Sequence, residues 1–276
     1  MTEKYIKKTD IAHRLISPLF EKHGIKHFFS LRRGGVSEGV FSSFNFACGG
    51  GSERDSAENV YENHKIAASL FGLGPERICR SFQTHSLTVR KASEADAGRG
   101  VTAEPFAEGV DGLYTETPEL LLTVRYADCV PVLLCDLASG AVAAVHSGWK
   151  GTLGGIAARA AEKLAEISGG AGSIIAAIGP CARPCCYEVS DELYGIFTAA
   201  DPENAAAFVP CRKGHYMLDM AKIIKRDLNR AGVPDERISD SGICTICGGD
   251  DFFSHRVSGE NRGTMAAFIQ KSEKGS

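Results

Sequence analysis

ELLLTVRYADCVPVLLCDLASGAVAAVH, residues 119–146, is the stretch that decides the fold. It contains three apolar or β-branched runs, 119–126, 131–136 and 141–146, separated by short turns. Runs of this length, bounded by Asp, Ser and Gly, read as buried strands. They are expected to be central strands of one sheet. Upstream, residues 26–31 read as another buried strand, followed by the loop Arg32-Arg33-Gly34-Gly35-Val36-Ser37. Val60, Ala67, Leu70 and Phe71 fall at helical spacing, which predicts a helix over 56–71 with Ser52, Asp55 or Ser56 as its cap. Downstream, helices are expected over 152–167, ended by Gly169-Gly170, and over 219–231, ended by Gly232 with Pro234 beyond. A further buried run, 174–178, lies between them. The fold class is α/β, a single domain over 1–276 built on a mixed sheet with flanking helices.

Composition limits what such a domain serves. The 276 residues are 43% hydrophobic and 24% charged, enough for a large core. A formal charge of −3 provides no positive field to hold a nucleic-acid backbone or an anionic membrane, so neither is an expected partner. Residues 1–10 are polar and no apolar h-region follows, nor does any run reach the ~20 apolar residues of a spanning helix. A cytoplasmic protein is expected. The ten cysteines lack regular spacing across a large domain and read as reduced thiols.

The predicted strands place Cys129 and His146 at neighbouring strand ends, and His85 in the turn between 78–82 and 87–89. Strand-end loops on a rigid sheet are where reactive groups concentrate. Two imidazoles and one thiolate suit zinc and leave a fourth tetrahedral position open, the mark of a catalytic rather than a structural ion. Taken singly, however, a Cys commonly packs as a small hydrophobe and a His as a satisfied polar group. Spacing alone does not bring three distant segments together.

The strings Arg32-x-Gly-Gly-Val-Ser37, Gln83-x-His85, Asp111-Gly112-Leu113, Ala127-Asp128-Cys129-Val-Pro-Val, His146-x-Gly-Trp149, Gly179-Pro180-Cys181, Tyr187-Glu188-Val189 and Phe253-Ser254-x-Arg256 resemble, in order, those of the YfiH or laccase-domain family. That family is related to purine nucleoside phosphorylases and was first labelled polyphenol oxidases. The resemblance implies a cysteine-hydrolase-like α/β fold and carries zinc ligation onto His85, Cys129 and His146, with copper as the alternative metal. It also implies phosphate-dependent cleavage of adenosine, inosine, guanosine and methylthioadenosine, with adenosine deamination as a companion activity. The expected partners are therefore small purine nucleosides and phosphate, and a monomer is the expected state. Arg32, with the amides of Gly34 and Gly35, is the candidate phosphate site, and Asn45 a candidate substrate contact. Both occupy family motif positions.

Other residues have open roles. Asp128 is a candidate for orienting a ligand, for general base, or for an ordinary turn residue. Trp149 either walls the pocket or stacks on a base. Lys150 and His255 stand where relatives often carry Arg and Tyr, and Arg256 is a further motif position of unassigned role. Cys181, the pair Cys185-Cys186 and Cys244-Thr-Ile-Cys247 read as incidental thiols rather than a second metal site, for want of a second clear Cys-x-x-Cys pair. Among competing classes, a laccase-type oxidase needs several coppers, whereas eight histidines with no His-x-His pair offer too few ligands. A cytidine-deaminase signature is absent. A hydrolase using Cys129 as nucleophile, including amide hydrolysis of peptidoglycan precursors, and a non-enzymatic zinc-binding protein remain as alternatives.

Overall fold

The computed structural model describes residues 4–271; the ends of the domain expected over 1–276, including the start of the polar 1–10 stretch, lie outside the described residues. The 119–146 stretch folds as strands Leu121–Tyr126, Val130–Asp136 and Val142–Ser147. Their thirteen core hydrophobes are buried because both faces are covered. Val130, Val132 and Leu134 point one way, Leu133 and Cys135 the other, the period-2 alternation of a strand sandwiched between layers.

The expectation of one central sheet gives way to two. Leu121–Tyr126 lies in a six-stranded sheet ordered Ile6–Lys8, Arg14–Ile16, His27–Ser30, Met265–Gln270, Leu121–Tyr126, Ile78–Arg80. Val130–Asp136 and Val142–Ser147 form an antiparallel hairpin in a second, ordered Ile238–Asp240, Ile174–Ile178, Val130–Asp136, Val142–Ser147, Gly112–Thr115, Val89–Lys91. The chain crosses between sheets at residues 127–129, where Asp128 adopts φ +80°, the left-handed conformation that Asp tolerates better than most side chains. Leu122, Val124 and Tyr126 meet Leu133, Cys135, Val142 and Ala144 between the two sheets.

Helices close the outer faces. Ala57–Ser69, capped by the Ser56 hydroxyl accepting from Asn59 N, packs Ala67 and Ala68 against Phe28, Leu121 and Phe268 of the first sheet. The helix expected over 152–167 divides into Trp149–Leu153 and Ile156–Ser168, because Gly154 and Gly155 interrupt it and Gly155 takes φ +67°. Ile156–Ser168 and Met220–Arg230, the latter capped by Asp219, cover the second sheet. The result is a four-layer α/β sandwich, with a small three-stranded antiparallel sheet, Glu188–Ser190, His215–Leu218 and Phe208–Arg212, beside it. Among the described residues no helix is long and apolar enough to cross a membrane.

Candidate active site

Two chain crossings between the sheets meet at one end of the sandwich. One is the 127–129 corner; the other, residues 81–88, leaves the edge strand Ile78–Arg80 of the first sheet for Val89–Lys91 at the edge of the second. Gln83 anchors this second crossing by imitating a strand: its Nε2 donates to Arg125 O at 2.7 Å and its Oε1 accepts from Arg125 N at 2.8 Å. The carboxylate of Asp111 fixes the tip, accepting from the amides of Thr84 and His85 at 3.1 Å and of Ser86 at 2.7 Å, and from the Ser86 hydroxyl at 2.8 Å. His85 is thereby held at φ +60°.

Asp111 also determines the chemistry of His146. Its Oδ1 lies 2.8 Å from His146 Nδ1. An ionised carboxylate only accepts, so Nδ1 carries the proton and Nε2 is left for another partner. Burial opposes ionisation of Asp111, yet hydrogen bonds from His146 and Ser86 outweigh it and hold the carboxyl down to about 2. For Cys129, burial raises the pKa, but His146 and His85 bring it down to about 6. For His146, burial lowers the pKa, and Cys129 and Asp111 reverse this and raise it to about 9. The Cys129 thiolate and the His146 imidazolium therefore favour one another, with a carboxylate behind them.

His85, Cys129 and His146 each bring a ligand atom to within 4.8 Å of the others. Cys129 Sγ lies 3.9 Å from His85 Nε2. A tetrahedral ion with bonds of about 2.3 Å to sulfur and 2.0 Å to nitrogen sets a sulfur and a nitrogen ligand about 3.6 Å apart, so this pair closes on a metal with a few tenths of an ångström of movement. Gly148 makes room: a Cβ there would stand 2.7 Å from His85 Cδ2 and 3.2 Å from Cys129 Sγ. The residues fit a borderline-soft divalent ion.

The group opens into a pocket of about 410 Å³ walled in part by Trp149, Tyr187, Met220, Arg256 and Arg262. That volume lies in the range of small-molecule sites. Asp128 belongs to the frame: its carboxylate accepts from Thr245 Oγ1 at 2.6 Å, Ser254 Oγ at 2.9 Å and Arg256 N at 2.7 Å, riveting the sheet-crossing corner to the C-terminal loop. Arg256 lies 5.0 Å above the Tyr187 ring and donates from Nη1 to Glu188 O. Arg262 differs from these, since its Nε is buried with no hydrogen-bond partner. It lines both this pocket and an adjoining cleft of about 300 Å³.

The two expected substrate contacts are placed elsewhere. The amides of Gly34 and Gly35 both donate to Ser43 Oγ, at 3.1 and 3.2 Å, so the expected anion nest is already filled by a hydroxyl. Arg32 donates from Nε to Ser42 O, packs 4.8 Å over the Phe253 ring and lines the adjoining cleft. Asn45 is completely buried; its Nδ2 donates to Ala47 O and Asp55, and its Oδ1 accepts from the amides of Ala47 and Thr264. Both of its donors and both acceptor positions are thus spent within the protein. Lys150 is exposed, its Nζ 5.5 Å from the Trp149 ring, while Trp149 itself walls the pocket. Sequence reading gave no role to Asp111, Tyr187 or Arg262; the first two carried a signal only as motif positions.

Residues 26–272 match a family model described as multi-copper polyphenol oxidoreductase laccase. The chain is 35% identical over 253 residues to a purine nucleoside phosphorylase named YlmD from Geobacillus stearothermophilus, covering 88% of this chain and 89% of the relative. It is 32% identical over 262 residues to a purine nucleoside phosphorylase named YfiH from Escherichia coli, covering 93% and 98%. The crystal structure of YlmD from Geobacillus stearothermophilus superposes with a TM-score of 0.87 at 33% identity, over 98% of this chain and 99% of that one.

Proposed function

The chain belongs to the multi-copper polyphenol oxidoreductase laccase family, and from that premise we propose that it is a zinc-dependent purine nucleoside phosphorylase, acting on adenosine, inosine, guanosine and methylthioadenosine and deaminating adenosine as a second reaction. The observation that carries this reading is the convergence of His85, Cys129 and His146 within 4.8 Å at a pocket that is also lined by Arg262, whose Nε has no hydrogen-bond partner. The names of the relatives support the substrate class. A zinc ion in this N₂S set supplies Lewis-acid polarisation of an electron-rich substrate atom.

Cleaving an N-glycosidic bond leaves positive charge on the ribose and negative charge on the departing purine, while phosphate must reach the anomeric carbon. Arg262 is the group for phosphate: no net positive field is needed when one partly desolvated guanidinium faces a small dianion. Trp149 and Tyr187 provide flat walls for a purine. Asp111 keeps the Nδ1 proton on His146 and so keeps Nε2 directed into the group. Zinc is favoured over copper because multi-copper oxidation needs several linked centres, and His85 and His146 belong to the one candidate group with histidine found among the described residues.

Product analysis tests the reading. With inosine and phosphate, zinc-loaded protein is expected to yield hypoxanthine and ribose 1-phosphate; free ribose formed at the same rate without phosphate would make it a hydrolase instead. Arg262→Ala is expected to raise the phosphate KM or lower kcat on the order of tenfold, the loss of a charge-assisted contact of roughly 1.5–3 kcal/mol. Arg32→Ala, which alters the neighbouring cleft, is expected to change phosphate kinetics far less.

One observation favours a second reading. Asp111, His146 and Cys129 stand in the order of a cysteine-hydrolase triad, carboxylate to imidazole to thiol. An acyl-Cys129 thioester trapped from an amide substrate, with full activity in metal-free protein, would establish it.

A further inference from the structure

Ile174–Ile178 and Ile238–Asp240 are parallel neighbours, paired from Ala176 with Ile238 to Ile178 with Asp240. Their pairing resumes beyond the strands, where Cys181 N donates to Ile243 O at 3.2 Å and Thr245 N to Cys181 O at 3.0 Å. The two following loops therefore leave the sheet side by side, and each contributes two cysteines to one cluster. The adjacent Cys185 and Cys186 are brought to Cys244 and Cys247 of the Cys-x-x-Cys loop, with all four sulfurs within 4.8 Å of one another. The second pair missing from sequence spacing is supplied by strand pairing.

We propose that Cys185, Cys186, Cys244 and Cys247 form a second metal centre, a closed four-thiolate site for a structural zinc ion that ties the loop leading to the pocket wall Tyr187 to the loop that carries Thr245. Four sulfurs at about 2.3 Å from a tetrahedral zinc are about 3.8 Å from one another, and Cys185 Sγ lies 3.7 Å from Cys247 Sγ. A disulfide needs about 2.05 Å and would use two of the four sulfurs, leaving the convergence of the other two without a cause. Amides of Cys247, Arg183 and Ile246 point at the Cys244 sulfur. The neighbouring Arg183 is committed to Asp240, with Nη1 at 2.9 Å from Oδ2 and Nη2 against Oδ1. Each thiol that ligates gives its proton to solvent, so binding is tighter as pH rises.

The position of this centre gives it work. Tyr187, a wall of the candidate active site, follows Cys186 directly, and the Thr245 hydroxyl between Cys244 and Cys247 holds Asp128. The four-thiolate ion has no open ligand position, so it braces the pocket and does not react.

Metal analysis of protein purified under reducing conditions separates the two centres. Wild-type protein is expected to hold about two zinc ions per chain, and Cys129→Ala, which disrupts only the His–Cys–His group, about one. Cobalt put into Cys129→Ala should give tetrahedral d–d bands with strong sulfur-to-cobalt charge transfer, reading the second site in a protein whose four cysteines are intact. Cys244→Ser/Cys247→Ser should lose this signal; if that protein does not fold, the cobalt spectrum of Cys129→Ala decides. The proposal is overturned by Cys129→Ala holding no metal, by iron in place of zinc, or by a Cys185–Cys247 disulfide in protein without metal. None of these outcomes depends on which reaction the first site performs.

Discussion

Asp111 sets three things at once: the tip of the 81–88 crossing, the tautomer of His146 and the charge behind the His–Cys–His group. Asp111→Asn retains an acceptor oxygen but loses the charge, and its amide offers protons where His146 and the Ser86 hydroxyl already donate. Zinc affinity is expected to fall 10–100-fold, the usual cost of losing the partner of a ligating imidazole, with the fold retained by circular dichroism. Unchanged affinity would remove Asp111 from the metal's support. The sequence made His85, Cys129 and His146 visible because each has metal-ligand chemistry and stands in a distinctive string. It hid Asp111, whose partners lie 25 to 35 positions away and whose own neighbours, Gly112 and Leu113, describe only a strand start. A motif position specifies the residue and not its partners: the sequence did not show that Asn45 spends its amide on Ala47 and Asp55, or that Arg32 Nε donates to Ser42 O.

At the scale of elements, the hairpin of Val130–Asp136 and Val142–Ser147 carries Cys129 and His146 at its open end and is closed at the other by Asp136. That carboxylate accepts from the amides of Ala138 and Ser139 and the hydroxyls of Ser139 and Ser173. Burial raises its pKa, but these hydrogen bonds prevail and the group lies below the usual carboxylate range. A depressed carboxyl contributes stability that is fully present above its unfolded value near ~4 and lost as pH falls through the lower folded value. Asp136→Asn is expected to cost on the order of 1–3 kcal/mol in urea unfolding at pH 7, with the gap to wild type narrowing steadily below pH ~4. A gap independent of pH would mean that the side chain's shape matters and its charge does not. Strand positions were legible here, since Ile174–Ile178 and the two hairpin strands follow from apolar runs alone. Their division between two sheets was not: it depends on the left-handed turn at Asp128, a non-glycine residue held there by Thr245, Ser254 and Arg256, more than a hundred positions away. The same limit concealed the four-cysteine cluster, which exists only because Ile174–Ile178 and Ile238–Asp240 run parallel as neighbours.

For the whole molecule, the four layers bring two sheet crossings and a C-terminal loop to one end, so that a protein of net charge −3 brings the guanidinium groups of Arg256 and Arg262 to the pocket of the His85–Cys129–His146 group. Low net charge argued against polyanionic partners, and a local rather than global positive site is consistent with small anionic substrates. The central claim is that phosphorolysis runs on zinc held by His85, Cys129 and His146. Its most direct test is the rate of ribose 1-phosphate formation from inosine and phosphate as zinc is returned to chelated protein, wild type beside Cys129→Ala. The account predicts a wild-type rate that is negligible without zinc and recovers as zinc is restored, and a Cys129→Ala rate that stays at the metal-free level throughout. A wild-type rate that is full in chelated protein and indifferent to added zinc would contradict it.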